Sequence, residues 1–169
     1  MHATPKLETR AAQPCVAIPV QASFQEWNRT IEQIPKLFEW LGQHNVTPAG
    51  PLFYRYHVLG DMERQFELEI GIAVTEPVNG SAAVVAGEIP GGTYATVVHH
   101  GHPDGIVAAY QNLEAWAERE GIEFDIQRNG QADLWAGRLE FYLTNPDDEP
   151  DPNKWSTEIA YLTKSSGSQ

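Results

Sequence analysis

The chain has 169 residues, 41% of them hydrophobic, which suits one domain with a substantial apolar core and is short for two. Lys and Arg number 11 against 23 Asp and Glu, so the formal net charge is -12. This charge repels nucleic-acid backbones and anionic membranes, so we expect neither as a direct partner. The sequence also lacks a long apolar run and a signal peptide, which favours a cytoplasmic location.

The only cysteine is Cys15, which excludes an internal disulfide and a multi-cysteine zinc site. In "CVAIPV" we expect it to pack as a small apolar side chain. Both termini are polar and non-periodic. We therefore expect flexible segments at 1–13 and 164–169, with one domain over 14–163.

The first predicted elements are a strand at 15–20 and a helix after it. The apolar residues of the helix follow helical spacing: Ile34, Leu37, Phe38 and Leu41. Two helix starts stay open, because Thr30 with Gln33 resembles a capping box whereas Pro35 is typical of a first turn.

Two strands are predicted next, "PLFYRYHV" at 51–58 and "FELEIGIAV" at 66–74. The second alternates apolar residues with Glu67 and Glu69, as a half-buried antiparallel strand does. Further strands are predicted at 82–90 and 93–100, joined by a Gly-Gly turn.

The second predicted helix is the clearest element. Asp104 is expected to cap it, and Gly121 to end it in the left-handed conformation. Its apolar stripe comprises Ile106, Tyr110, Leu113 and Ala117. Strands at 122–127, 138–144 and 157–163 complete the chain, with an Asn129-Gly130 turn signal between the first two.

The two halves of the sequence resemble each other. "LFEWLGQHNV" at 37–46 aligns with "LEAWAEREGI" at 113–122, so Trp40 matches Trp116. Each helix follows a Val-containing strand and precedes two more strands, the last carrying Glu67 and Glu69 in one half and Glu140 in the other. We therefore predict an α+β fold with a duplicated strand-helix-strand-strand unit, both helices on one face of an antiparallel sheet, and a groove between the repeats on the other face.

The strand at 138–144 carries the candidate site. If Leu139, Phe141 and Leu143 pack under the helices, the period of two sends Glu140, Tyr142 and Arg138 to the opposite face, along with Glu67 and Glu69. A solvated sheet face is the simplest interpretation of this pattern.

Aromatic residues near these carboxylates favour a functional interpretation instead. The candidate ligand-binding residues around Glu140 are Tyr142, Trp135, Tyr54, Tyr56 and Tyr94. Aromatic rings around a carboxylate suit a flat, apolar, cationic ligand. The same setting suits catalysis, in which Glu140 moves a proton to or from water and Tyr142 or another tyrosine donates a hydrogen bond.

Other motifs give weaker signals. His99, His100 and His102 lack a recognised metal-ligand spacing, so no metal is expected, although His100 or His102 is a candidate for the groove rim. No dinucleotide or phosphate-binding glycine fingerprint is present, and no cofactor is expected. "NPDDEPDPNKW" is interpreted as a solvated loop.

These segments together resemble the GyrI-like small-molecule-binding domain, the effector-binding module of AraC-type and MerR-type regulators. The resemblance runs from about Pro14 to Leu162. It depends most on "GGTYATVVHHG" before the second helix and on "EFYLTNP" after it. Two positions depart from the family pattern: His102 stands where an aromatic residue is frequent, and Leu162 where a proline is common.

The resemblance implies a duplicated fold and a ligand groove with Glu140 as its glutamate. In drug-binding relatives this glutamate faces a cationic aromatic ligand. Some stand-alone relatives use it with aromatic residues to hydrolyse cyclopropane-containing genotoxins, and others act on DNA gyrase. Since 13 residues before Pro14 cannot hold a helix-turn-helix, we expect a free-standing small-molecule binder, with a hydrolase and a gyrase modulator as alternatives.

Overall fold

The computed structural model describes residues 4–23, 26, 28–59, 66–128 and 133–164. The helices are α1 (Asn28–Gln43) and α2 (Ile106–Glu120), and short 3-10 turns lie at Pro103–Gly105 and Pro152–Lys154. The strands are β1 (Lys6–Arg10), β2 (Gln13–Ala22), β3 (Pro48–Leu59), β4 (Phe66–Val74), β5 (Val85–Ile89), β6 (Gly92–His100), β7 (Ile126–Arg128), β8 (Asp133–Trp135), β9 (Arg138–Tyr142) and β10 (Ser156–Leu162).

Within the described residues the strands form one ten-stranded antiparallel sheet. Its order is β1-β6-β10-β9-β3-β4-β2-β5, with β8 also paired to β3 and β7 paired to β8. The first repeat (β2, α1, β3 and β4) supplies the order β3-β4-β2, and the second repeat (β6, α2, β9 and β10) supplies the matching order β9-β10-β6. The repeats therefore meet where β3 pairs with β9, which we call the seam.

The predicted α+β fold with a duplicated strand-helix-strand-strand unit is confirmed, with one change in the matching of strands. Because β9 lies at the seam and pairs with β3, it corresponds to β3 rather than to β4. Glu67 and Glu69 lie on β4, whose counterpart is β10. Glu140 therefore has no carboxylate equivalent in the first repeat.

Strand register shows that both helices lie on one face of the sheet. Residues that pair across neighbouring strands share a face of the sheet. One such row of paired residues crosses the sheet and consists of Ile18, Ile70, Tyr54, Glu140, Ile159 and Val97. At one end of the row Ile18, Ile70 and Tyr54 share a core with Leu37 of α1. At the other end Ile159 and Val97 share a core with Leu113 of α2. Glu140 lies between these two cores.

The opposite face of the sheet is also buried at its centre. Phe53 of β3 and Leu139 of β9 lie in a third core with Cys15 and Ile89 from one side of the sheet and Tyr94 from the other. Residues so far apart in strand order meet because the sheet is curled. Cys15 is buried there, as expected for an apolar thiol, and burial raises its pKa to about 11.

Residues 6–10 were expected to be flexible but form β1, which pairs with β6 from Lys6 opposite Thr96 to Arg10 opposite Gly92. Without β1, the outer edge of β6 would expose unpaired backbone groups. The sequence of β1, KLETR, has a single apolar residue, Leu7, which is half exposed. The strand therefore lacks the alternation of apolar and polar residues by which strands are predicted. In the predicted tail at 164–169, Lys164 donates its N–H to the Glu123 carbonyl, and the rest lies outside the described residues.

Helix α1 begins earlier than either predicted start. Thr30 and Pro35 both lie inside it, and the Gln33 side chain bonds to the Arg29 carbonyl rather than to a cap. Phe38 is exposed, whereas Trp40 is buried. Thr30 is fully buried, and its hydroxyl accepts a hydrogen bond from Tyr54 of β3. This bond explains how a polar residue is accommodated on the buried side of the helix.

Helix α2 ends as predicted and begins differently. Gly121 has φ of 71°, and its N–H returns to the carbonyls of the last turn. Asp104 lies in the preceding 3-10 turn, where His102 is the capping residue, and Gly105 holds the N-cap position of α2. The predicted strand at 122–127 is reduced to β7, and the Asn129-Gly130 turn signal lies outside the described residues.

Candidate functional site at the seam

Glu140 is a buried carboxylate at the centre of the seam. It lies on β9, paired with Tyr54 of β3 on one side and Ile159 of β10 on the other, and its residue is 8% exposed. An isolated carboxylate at such a position costs several kcal/mol unless hydrogen bonds or counter-charges compensate. The neighbouring side chains supply both.

Three tyrosine hydroxyls donate to this carboxylate. Tyr142, two residues along β9, bonds to Oε1 at 2.7 Å, and Tyr56 of β3 reaches the same oxygen at 3.3 Å. Tyr110 of α2 bonds to Oε2 in a close contact. One strand of each repeat and one helix thus converge on Glu140.

The three tyrosines stay protonated at neutral pH. Burial raises the pKa of Tyr56, Tyr110 and Tyr142 well above the ordinary phenol value, and the negative charge of Glu140 raises it further. They are therefore fixed as donors, and Glu140 is held as an acceptor of their hydrogen bonds.

Arg138 lies on the same face of β9, two residues before Glu140. Its guanidinium carbon is 4.7 Å from the ring centroid of Trp135, 4.8 Å from Tyr161, 5.0 Å from Tyr110 and 6.0 Å from Tyr56. We call these four rings the ring box. All four distances are within the range of cation–π attraction.

A second carboxylate borders the ring box. The Tyr161 hydroxyl donates to Glu114 Oε2 at 3.3 Å, and Glu114 lies one turn after Tyr110 on α2. Burial alone would lower the pKa of Arg138, but Tyr161, Tyr110 and the two carboxylates raise it, so the guanidinium is charged. The formal charge of Glu140, Glu114 and Arg138 together is negative.

Five of the predicted site residues lie at the seam. Tyr56, Tyr142 and Glu140 are hydrogen-bonded to one another as described. Tyr54 packs edge-on against Tyr142 with ring centroids 5.3 Å apart. Trp135 lies in the ring box, 5.0 Å from Tyr161.

The structure places the other three predicted residues elsewhere. Tyr94 lies in the core of the opposite face, and its hydroxyl donates to the Pro90 carbonyl at 2.6 Å. His100 is exposed and bonds to the Ser156 hydroxyl, and His102 accepts the Asp104 N–H as a cap. Adjacent residues on a strand point to opposite faces, and Tyr94 and His100 have the parity of the face away from the helices.

The predicted face of the site is wrong. Glu140, Arg138 and Tyr142 lie on the helix-bearing face, whereas Leu139 and Phe141 pack on the other side and Leu143 is half exposed. Both faces of β9 are buried, so the apolar residues of this strand do not identify the helix side. The pairing of Glu69 with His57 Nε2 at 2.8 Å lies on the face opposite Glu140.

Four contributors are not among the predicted site residues: Tyr110, Arg138, Tyr161 and Glu114. Tyr110 was placed correctly on the buried stripe of α2, and a hydroxyl on such a stripe requires a buried partner. That requirement was the available signal. Arg138 shares the face of Glu140 by strand periodicity, but its position among four rings depends on the tertiary fold.

The described residues offer no cluster of three or more His, Cys, Asp or Glu side chains that could hold a metal ion. Among the described helices none is long and apolar enough to cross a membrane. The chemistry of the seam is that of one hydrogen-bonded carboxylate, one guanidinium and several aromatic rings. Such a set can bind a charged apolar molecule or transfer a proton.

The duplicated strand-helix-strand-strand fold belongs to a class of small-molecule-binding domains. The GyrI-like small molecule binding domain matches residues 3–161, and the chain belongs to this family. No curated protein matches the sequence at a significant level.

Solved structures with the same fold include the C-terminal domain of EcmrR, with a TM-score of 0.79, 21% identity, and coverage of 97% of this chain and 99% of that one. In the EcmrR–DNA complex the TM-score is 0.78 at 21% identity, and 95% of this chain covers 57% of that chain. The chain thus spans a little over half the length of the EcmrR chain in that complex.

Two more distant structures share the fold. A hydrolase from Listeria innocua has a TM-score of 0.63 at 12% identity, covering 96% of this chain and 92% of that one. SAV2435 bound to tetraphenylphosphonium has a TM-score of 0.59 at 10% identity, covering 95% and 93%.

Proposed function

We propose that the chain binds an apolar, cationic aromatic molecule at the seam, with Glu140 as the counter-charge. The observation that carries this proposal is a buried carboxylate whose hydrogen-bond partners are tyrosine hydroxyls and whose surroundings are aromatic rings. The rings of Tyr54, Tyr56, Tyr110 and Tyr142 provide apolar area, and Glu140 provides the charge. A ligand cation also offsets the cost of burying the carboxylate.

Family membership supports small-molecule binding in general, and SAV2435 supports the class of ligand. That protein has the same fold and was solved with tetraphenylphosphonium, a lipophilic cation with four aromatic rings. The bound cation is a finding about SAV2435, so the ligand class of this chain is tested directly.

The test is calorimetric titration of tetraphenylphosphonium into the protein and into Glu140→Gln. Loss of a counter-charge in a partly desolvated site is expected to raise Kd at least about tenfold. Glu69→Gln is the matched control, because it removes a carboxylate from the opposite face. Equal affinity of the Glu140→Gln variant, with an unchanged circular dichroism spectrum, would show that Glu140 is not the counter-charge.

A second candidate is hydrolysis of a strained electrophilic ring, for which the hydrogen bond of 2.7 Å between the Tyr142 hydroxyl and Glu140 puts a proton donor beside a carboxylate. Glu140 would accept a proton from water as its oxygen attacks a cyclopropane carbon. The ring C–C bond would break, and its electron pair would pass to a conjugated carbonyl that a tyrosine stabilises by hydrogen bonding. The proton held by Glu140 would then pass to the resulting enolate, which gives the water adduct and restores the carboxylate. Mass spectrometry of a cyclopropane-bearing alkylator would detect the water adduct. Turnover no higher than in Glu140→Ala excludes this substrate class.

An effect on DNA gyrase stays a prediction from the family resemblance. The net charge of -12 is compatible with binding to a basic surface. A supercoiling assay with the purified chain tests it, and inhibition that disappears at high salt but persists in Glu140→Ala would attribute the effect to surface charge rather than to the seam.

A further inference from the structure

Arg138 is a cation of the protein that lies against aromatic rings at the seam, as the proposed ligand would. Its guanidinium lies over the rings of Trp135, Tyr161 and Tyr110 at 4.7, 4.8 and 5.0 Å from their centroids. A delocalised cation over aromatic faces is the arrangement in which rings recognise cationic ligands. The ring box is therefore occupied by a side chain of the chain itself.

The ring box and the carboxylate site are one continuous environment. Tyr110 and Tyr56 donate to Glu140 through their hydroxyls and face Arg138 with their rings. A ligand cation attracted to Glu140 would thus approach rings that Arg138 already contacts. The two positive charges would repel each other in a partly desolvated space, where Coulomb interactions are stronger than in water.

The ring box does not satisfy all the hydrogen-bond donors of Arg138. The Arg138 Nε atom is buried and has no hydrogen-bond partner among the described residues, and the same is true of Trp135 Nε1. A buried donor without a partner costs free energy, so release of the guanidinium towards water would recover part of the cost of displacement.

We propose that Arg138 is a specificity-determining residue, an internal cation that a cationic ligand must displace from the ring box. This inference rests on the proposed function, because it concerns which charge the seam accepts. It adds that the seam discriminates by competition between the ligand and its own arginine. Weakly stacking cations fail to displace Arg138, whereas large aromatic cations succeed because they gain more ring contact.

Two probes of nearly the same shape and opposite charge test this: tetraphenylphosphonium and tetraphenylborate. Arg138→Met removes the charge while keeping an unbranched apolar side chain. It is expected to lower Kd for tetraphenylphosphonium about tenfold or more and to raise Kd for tetraphenylborate. Arg138→Gln is the second neutral variant if Arg138→Met fails to fold.

Two control variants separate the role of Arg138 from general effects. Arg119→Met changes net charge equally from an exposed site on α2 and should leave both affinities within about twofold. Arg138→Lys keeps the charge and should not tighten cation binding. If Arg138→Lys tightens it as much as Arg138→Met, or if Arg138→Met leaves tetraphenylphosphonium binding unchanged or weaker, the inference is wrong.

The outcomes also distinguish failure of this inference from failure of the proposed function. If Glu140→Gln weakens cation binding but neutral Arg138 variants do not tighten it, only the inference fails. If the unsubstituted protein does not bind tetraphenylphosphonium but Arg138→Met does, the inference is supported in its strongest form. If neither binds it, both the ligand class and the inference are rejected.

Discussion

The two repeats are alike where their helices pack on the sheet and differ where they meet at the seam. Leu37 of α1 and Leu113 of α2, aligned through Trp40 and Trp116, are both fully buried against the sheet. At the seam the repeats differ: Tyr54 of β3 pairs with Glu140 of β9. The Tyr54 hydroxyl donates to Thr30 of its own helix, whereas Glu140 accepts from three tyrosines.

This difference separates a structural hydrogen bond in the first repeat from the candidate site in the second. The first repeat closes its helix on the sheet with a neutral hydrogen bond between two of its own residues. The second repeat puts a carboxylate at the equivalent place, and three tyrosine hydroxyls and the charge of Arg138 offset the cost of burying it. The two repeats thus share one framework. At the seam they differ, because the first repeat has the neutral Tyr54 where the second has the carboxylate of Glu140.

The largest effect on stability is expected from truncating the matched leucines of the two helices, which tests whether the two repeats are packed equally well. Leu37→Ala and Leu113→Ala each remove a fully buried side chain, so each should lower the free energy of unfolding by about 2–5 kcal/mol. Urea denaturation followed by circular dichroism measures both. Nearly equal losses support matched packing, whereas a loss confined to one variant would show that the repeats are packed differently.

An intermediate effect is expected at alkaline pH. Unfolded tyrosines ionise near pH 10, whereas the raised pKa values of Tyr56, Tyr110 and Tyr142 keep them protonated in the folded chain. Above about pH 10 the unfolded state therefore binds fewer protons than the folded state. Stability that is fully present below that pH should fall as pH rises.

The alkaline loss can be compared between the repeats in a Cys15→Ala background, because Cys15 also titrates at high pH. Tyr142→Phe should reduce the slope of stability against pH above pH 10 by up to about 1.4 kcal/mol per pH unit. Tyr54→Phe should reduce it less, since the pKa of Tyr54 is raised less strongly than that of Tyr142. Equal slopes in the two variants would contradict the distinction between the repeats.

Much of this fold is predictable from the sequence because the repeat is visible in it. The match of Trp40 with Trp116 fixes the alignment of the helices, and Gly121 ends α2 as expected. Alternation alone does not distinguish Glu140 from Glu67 and Glu69; the aromatic residues near it and the family resemblance are what point to Glu140. Strand pairing then places it between two helix-bearing halves.

The face of the site was not predictable by the same reasoning. Alternation reveals a buried face only where the other face is solvated, and in the curled sheet Leu139 and Glu140 are both buried. Tyr110 belongs to the site only because α2, which packs against β6, brings its hydroxyl to Glu140 of β9. Arg138 likewise depends on four rings from different parts of the chain.

The smallest expected effect is at Glu69, the carboxylate that lies on the other face of the sheet. Its hydrogen bond with His57 lowers the pKa of Glu69, so this pair stabilises the fold above the ordinary carboxyl pKa and the contribution is lost as pH falls through the lowered value. Both side chains are partly exposed, at 36% for His57 and 22% for Glu69.

Solvent screening limits such a pair, so Glu69→Gln should lower the free energy of unfolding by less than about 1 kcal/mol at pH 6. It should leave tetraphenylphosphonium affinity within about twofold, because Glu69 faces away from the helices and from the seam tyrosines. Denaturation and calorimetry on the same preparation measure both quantities. A large loss of cation affinity in Glu69→Gln would mean that charge anywhere on this acidic chain attracts the ligand, and the contrast between Glu140 and the other carboxylates would no longer hold.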